Sequence, residues 1–321
     1  MLEEKKFKSE RNFLKALDSF EGLIVHLTHT DLDAVCSDAV HRRKYTSIFT
    51  VFSPVRDYVS YLKMLAKYKP RRVMTLSLSD LGGASEIVDA IRTLADNGWK
   101  IEWRDHHIWS EGLFDEVKRT VDYIRVDGRY CACEITFQDL LPNDEIARTI
   151  AAIGRDRDFW INKDPRSEIL STVINTNNWK TKVSQKLSSG IVIDDEITEE
   201  YKLALKNKNE ALKRSLESSR LFDGVAVAKS TGFSSDSASA LRNKYKTKIE
   251  IIINNNGVFS IRSVEPVSNK IAENFDGGGH PNAAGGTLHF NFADRITFKL
   301  LTYRQRKVKK LIKTALAYSK E

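Results

Sequence analysis

Short apolar runs alternate with amphipathic stretches from Glu21 to about Arg104. Leu23-Ile24-Val25-His26-Leu27 predicts a buried strand, and residues Asp33 to Arg43 predict a helix. Ser47 to Val51 is strand-like, and Tyr58 to Lys67 carries Val59, Leu62, Met64 and Leu65 at helical spacing. Val73 to Leu76 predicts a third strand, followed by a helix from about Ser85 to Asp96. Asn97-Gly98 punctuates that helix before a strand over Lys100 to Trp103. Strands separated by helical segments imply βαβ units, hence a mainly parallel sheet flanked by helices.

Beyond Asp105 the pattern turns mostly helical, most clearly over Cys133 to Leu140 and Glu145 to Ile153. Glu196 to Ser219 is long and charged, with good helix formers and few breakers, as expected of a helical connector. After it come a strand over Gly224 to Lys229 and a helix over Ser237 to Tyr245. Ile249 to Ile253 and Val258 to Arg262 then flank Asn254-Asn255-Asn256-Gly257, a hairpin turn. The expected organisation is α/β in two parts: residues 1–195, a helical linker over 196–220, and a smaller α/β domain over 221–321.

Composition changes this picture little. The 321 residues exceed one ordinary domain, and 41% hydrophobic with 29% charged residues describes a globular protein. No apolar run approaches the ~20 residues that span a bilayer. The N-terminal MLEEKKFKSERNFLKAL lacks the apolar core of a signal peptide, so a cytoplasmic location without membrane attachment is expected. Cys36, Cys131 and Cys133 contain no Cys-x-x-Cys pair and are expected as small buried hydrophobes. The formal net charge of +8 is a mild argument for an anionic partner. Much of it lies in Lys206, Lys208, Lys213 and Arg214 and in Arg304 to Lys313, runs that usually form solvated helix faces.

The chemistry gathers at the ends of the predicted strands, where open α/β sheets bind ligands. The first strand gives His29-Thr30-Asp31-Leu32-Asp33, the next Asp80, and the last Asp105-His106-His107. Asp156-Arg157-Asp158 follows the apolar segment ending in Gly154. Each cluster has a plain alternative: Asp31 as a helix N-cap, Asp80 as a turn residue, Asp156 and Asp158 as surface charges. Together, carboxylates on one sheet edge repel unless protonated, paired or bound to cations. With imidazoles among them, a divalent-metal site is the economical explanation, and mixed oxygen and nitrogen ligands suit manganese. Gly277-Gly278-Gly279-His280, with Ala283-Ala284-Gly285 behind it, offers exposed amides that can cradle phosphate oxygens.

These residues resemble the DHH phosphoesterase superfamily, in the nanoRNase/oligoribonuclease-like, RecJ-related branch that carries a DHHA1 domain. Asp105-His106-His107 is similar to the name-giving triplet. His29-x-Asp31-x-Asp33, Asp80 and Asp156 resemble the other three motifs, with Asp158 competing with Asp156 for the last. Ala34 stands where the family commonly has glycine. The resemblance implies an N-terminal DHH domain and a C-terminal DHHA1 domain with a mixed sheet. It also implies two divalent metals, most of all Mn2+, one held by His29, Asp31 and Asp80 and one by Asp33, Asp80, His106 and Asp156. His107 would contact the scissile phosphate or assist the leaving oxygen, and Asp105 would orient a histidine. Arg262, Gly277, Gly278, Gly279 and His280 would bind substrate.

The expected activity is hydrolysis of short single-stranded oligonucleotides to mononucleotides by a two-metal hydroxide mechanism. Partners are short RNA or DNA, or small nucleotide phosphodiesters, with homodimerisation left open. Cleavage of cyclic dinucleotides and removal of phosphate from pAp are alternatives within the same chemistry. From a different class, a non-catalytic nucleic-acid-binding or replication-associated scaffold would be marked by missing ligands, and the set is complete.

Overall fold

The computed structural model describes residues 9–176, 178–230 and 232–319. The chain divides into two compact units between Ala204 and Leu205, inside one long helix. The first unit begins α1 (Glu10–Asp18), β1 (Ile24–Thr28), α2 (Leu32–Lys44), β2 (Ile48–Phe52), α3 (Tyr58–Ala66) and β3 (Thr75–Ser79). A 3-10 turn leads into α4 (Val88–Asp96), then β4 (Lys100–Asp105), α5 (Glu111–Lys118) and β5 (Tyr123–Val126). Five helices close the series: α6 (Ala132–Leu140), α7 (Glu145–Asp158), α8 (Pro165–Val173), α9 (Trp179–Ser188) and the shared α10 (Asp195–Glu217).

All five strands are parallel, in the order β2-β1-β3-β4-β5. Side chains alternate across a strand, and here the two faces differ in kind. Val25, Leu27, Leu76, Leu78, Ile101 and Trp103 bury themselves with Phe13, Leu62, Ile91 and Leu94 in one apolar layer. The alternate positions His26, Thr28, Ser77, Ser79 and Arg104 are polar, yet also buried. α2 supplies their partners. His26 bonds Asp38 at 2.9 Å and the Ser79 hydroxyl at 2.8 Å, and His41 bonds the Ser77 hydroxyl at 2.8 Å. Asp38 also accepts from Arg42 (2.7 Å), Thr50 (2.6 Å) and Ser184 (2.6 Å). A parallel sheet covered on both faces ordinarily reads as continuous apolar runs; here one face is a satisfied hydrogen-bond network instead.

That polar face explains one of the departures from the expected elements. The third strand lies two residues later than Val73 to Leu76 and runs on to Ser79, because its serines are buried in the polar layer. β5 falls where helix was expected; it is a half-exposed edge strand whose Tyr123 and Arg125 bond Asp139. α7 does not stop at Ile153 but continues through Gly154 to Asp158. A Cβ on Gly154 would stand 2.3 Å from Cys133 Sγ, so glycine here serves close helix packing rather than termination. Asp156-Arg157-Asp158 therefore occupies the last helical turn and not a strand end. The three cysteines are buried as free thiols.

The second unit contains β6 (Arg220–Phe222), β7 (Val225–Lys229), α11 (Ser234–Tyr245), β8 (Ile249–Ile253), β9 (Val258–Ser263) and α12 (Ser268–Glu273). β10 (Gly278–His280), β11 (Ala283–Thr287), α13 (Phe292–Leu301) and α14 (Arg306–Tyr318) complete it. Its six-stranded sheet, ordered β10-β11-β9-β8-β7-β6, is mixed: β7 and β8 are parallel and the other pairs antiparallel. Val227, Ile251 and Ile261 pack under α12–α14 through Ile271, Phe298, Val308 and Leu311. Ala226, Ala228 and Ile252 meet Ala238 and Leu241 of α11 on the opposite face. No helix among the described residues is long and apolar enough to cross a membrane.

Candidate metal centre

Strand order in the first sheet reverses between β1 and β3, and the crevice beyond their carboxyl ends is where such sheets take ligands. Asp31 caps α2, accepting from the Ala34 N–H at 3.1 Å, while its other oxygen lies 3.0 Å from His29 Nδ1. The cap and ligand readings of Asp31 are thus compatible. Asp33, in the first turn of α2, accepts the backbone N–H groups of Ala132 (2.7 Å) and Cys133 (2.8 Å) at the start of α6. Asp80 follows β3 with a left-handed φ of 55°, a conformation that only a few non-glycine residues adopt. It aims one oxygen at His106 Nε2 (3.2 Å) and the other toward His29 Nδ1 (3.6 Å).

Among the groups these side chains form are His29 with Asp31 and Asp80, Asp33 with His106 and Asp158, and Asp80 with Asp105 and His107. Asp80 stands beside the first two. Asp158, in the last turn of α7, places Oδ2 3.4 Å from His106 Nδ1. Asp156 points elsewhere: its carboxylate accepts the Lys163 N–H at 2.9 Å and the Ser167 hydroxyl. The structure therefore brings Asp158 to His106 and commits the favoured Asp156 to the following loop. The signal lay in the helical period. Gly154 packs with its Cβ position 3.4 Å from Asp33 Oδ1, and Asp158 is four residues on, on the same helix face.

Burial works against the His106 cation, but the Asp80 hydrogen bond and the Asp80, Asp33 and Asp158 charges push it up to about 11. His29 is likewise raised, its desolvation outweighed by Asp31 and Asp80. Burial raises the Asp80 carboxyl, yet the two histidines carry it well below the usual carboxylate range. Asp33 is pushed up to about 6 by burial and the Asp80 charge. Asp158 is pushed up to about 8 by burial and its carboxylate neighbours. Buried carboxyls pushed up by one another, beside histidines that they push up in turn, form a set that a bound cation would stabilise in its ionised form. One atom makes the fit specific: Asp80 Oδ2 is buried and accepts no close hydrogen bond among the described residues, His29 Nδ1 standing 3.6 Å away, so a further positive partner would stabilise it.

Asp105 is fully buried and accepts from His107 Nδ1 and from Trp109 Nε1, both at 2.7 Å. Burial opposes a charge on His107, but the Asp105 charge and hydrogen bond raise its affinity for a proton.

In the second unit Gly278 and Gly279 lie in β10, with Gly277 just ahead of it. Gly278, Gly279 and His280 pair with Gly285, Ala284 and Ala283. A Cβ on Gly277 would lie 2.1 Å from the Gly285 carbonyl oxygen, and Gly279 has φ 134°, so both glycines are demanded by the hairpin itself. Only Gly278 of the three faces open space. Ala283 pairs His280 on one side and Arg262 on the other, which sets Arg262 and His280 on one face with a methyl between them. Arg262 donates to the Ser235 hydroxyl at 2.7 Å.

No protein-family model and no curated protein sequence matches the chain; its likeness is to solved structures. The DHH domain of a member of a family of ribosomal proteins is 13% identical, over 96% of this chain and 88% of that one, with a TM-score of 0.62. CDC45 from Entamoeba histolytica is 10% identical over 94% and 99% of the two chains (TM-score 0.58). RecJ in complex with Mn2+ from Thermus thermophilus is 16% identical (TM-score 0.57), covering 98% of this chain and 56% of that one. The chain thus has the fold of the DHH-domain proteins, a parallel-sheet unit and a mixed-sheet unit as the motifs implied. At such identities the likeness concerns fold.

Proposed function

We propose that this protein is a metal-dependent phosphodiesterase of the DHH kind that cleaves nucleotide phosphodiester bonds in short oligonucleotides. The observation that carries this reading is the Asp80 carboxylate, buried between two groups of imidazoles and carboxylates, with one oxygen that accepts no close hydrogen bond and has only His29 Nδ1 nearby at 3.6 Å. His29, Asp31 and Asp80 would hold one divalent ion. Asp33, Asp80, His106 and Asp158 would hold the other, with Asp158 in the place the motif comparison assigned to Asp156. Bound there, Mn2+ ions would polarise a phosphoryl oxygen and lower the pKa of water.

The chain's own groups do the rest. Asp105 and the Trp109 indole fix the ring orientation and tautomer of His107. A protonated His107 is suited to hydrogen-bond the scissile phosphate and to give its Nε2 proton to the leaving oxygen. Arg262 and His280 form an anion-binding pair on the second sheet, Arg262 as a lasting cation.

Purified protein with Mn2+ is expected to convert labelled di- to pentanucleotides into mononucleotides, with products resolved over time. Cyclic dinucleotides and pAp in the same panel distinguish the neighbouring activities. If oligonucleotides, pApA, cyclic dinucleotides and pAp all remain intact, the enzyme reading is abandoned in favour of a binding scaffold.

A further inference from the structure

The last turn of α7 runs into a loop whose side chains the proposed chemistry leaves unused. Phe159, Trp160 and Ile161 directly follow Asp158 and keep 41%, 42% and 42% of their surface exposed. Three consecutive large apolar side chains held in water mark a contact surface more often than an accident of folding. The backbone enforces their exposure. Trp160 and Asn162 have left-handed φ values of 55° and 52°, and such strain persists where the surroundings over-determine it. Asp156 supplies that determination: its carbonyl accepts the N–H groups of Ile161 (2.9 Å) and Asn162 (3.2 Å), and its carboxylate takes Lys163 and Ser167.

The rings adjoin the candidate metal centre. Phe159 lies edge-to-face with His106, ring centroids 6.4 Å apart. Arg155 sits over the Phe159 ring at 4.6 Å and Arg157 over the Trp160 ring at 4.2 Å. Glu134 holds the first arginine at 2.6 Å, and Asn162 and Glu168 hold the second at 3.1 and 3.2 Å. Exposed aromatic rings backed by guanidinium groups, beside a phosphate-hydrolysing centre, match the chemistry of a nucleobase joined to a phosphate.

We propose that Phe159, Trp160 and Ile161 form a stacking platform for the base of the nucleotide whose phosphate is cleaved beside His106. The platform rests on the phosphodiesterase reading and adds to it a subsite for the base. Stacking is tolerant of base identity, so the subsite would favour nucleotides over base-free phosphates without selecting a sequence.

The test titrates the full-length, Mn2+-supplied protein with AMP and with ribose 5-phosphate, following binding calorimetrically. Phe159→Leu and Trp160→Leu are compared with Trp160→Tyr, which keeps a ring, and thermal melts check that each variant folds. The leucine variants are expected to bind AMP about 5- to 100-fold more weakly, with ribose 5-phosphate binding unchanged and Trp160→Tyr close to wild type. Unchanged AMP affinity in both leucine variants would overturn the platform, as would equal weakening of both ligands. If the wild type binds neither ligand, the phosphodiesterase reading falls and the platform with it. Wild-type binding of both ligands with indifferent variants removes the platform alone.

Discussion

Asp80→Asn is expected to lower Mn2+-dependent hydrolysis on the order of 10³-fold, the scale of losing one preorganised electrostatic group, while the fold survives. Asparagine keeps the size of the side chain and tolerates the left-handed backbone at this position better than most residues. What it removes is the charge that faces His106 on one side and His29 on the other. A carboxylate shared by both groups cannot be replaced by a neutral amide without weakening both. Steady-state turnover and circular dichroism on the same preparation check the two halves. Undiminished turnover would remove Asp80 from the shared role.

The second large effect concerns stability. Asp38→Ala is expected to cost about 3–5 kcal/mol in urea unfolding, the range for removing one partner of a buried ion pair. Asp38 is fully buried and accepts from His26, Arg42, Thr50 and Ser184, so its loss strands several donors at once. Burial raises its carboxyl, but the Arg42 and His26 charges and these hydrogen bonds hold it far below the usual range. A folded-state pKa depressed in this way adds stability above the unfolded value of about 3.9, and that stability is lost as pH falls through the folded value. The difference between wild type and Asp38→Asn is therefore expected to shrink as unfolding is measured below about pH 4. A difference that persists undiminished in acid would deny the charge its role. His26 also bonds Ser79, the residue before Asp80, so the same network braces the strand end that carries the candidate metal site.

Much of this was legible in the sequence because period and chemistry coincided. The βαβ alternation set out four of the five parallel strands, and His29, Asp31, Asp33, Asp80 and His106 all fall where the strand ends bring them. Reading failed where polarity and burial parted company. Ser77 and Ser79 resemble the end of a strand but sit inside one, since their hydroxyls meet histidines. β5 is an exposed edge and gives no apolar alternation strong enough to outweigh its surroundings. The helix expected over Glu145 to Ile153 runs on through Gly154, whose packing against Cys133 suits a glycine inside the helix. Asp156 comes first after the apolar run ending in Gly154, while Asp158, one helical turn beyond that glycine, is the carboxylate beside His106. In the Gly277–Gly279 run, two glycines are needed for backbone contact within a hairpin, and Gly278 faces open space. The exposed Phe159 and Trp160 were not readable at all, since an aromatic pair after a helix is ordinarily core.

The carboxylates and imidazoles around Asp80 are expected to bind divalent metal, which can be tested without any substrate. Titration of the wild-type chain with Mn2+, followed by loss of the free-ion electron paramagnetic signal, is expected to show about two ions bound, with binding sharply weakened in Asp80→Asn. Wild-type protein that leaves the free Mn2+ signal untouched, or an Asp80→Asn chain that binds as the wild type does, would contradict it.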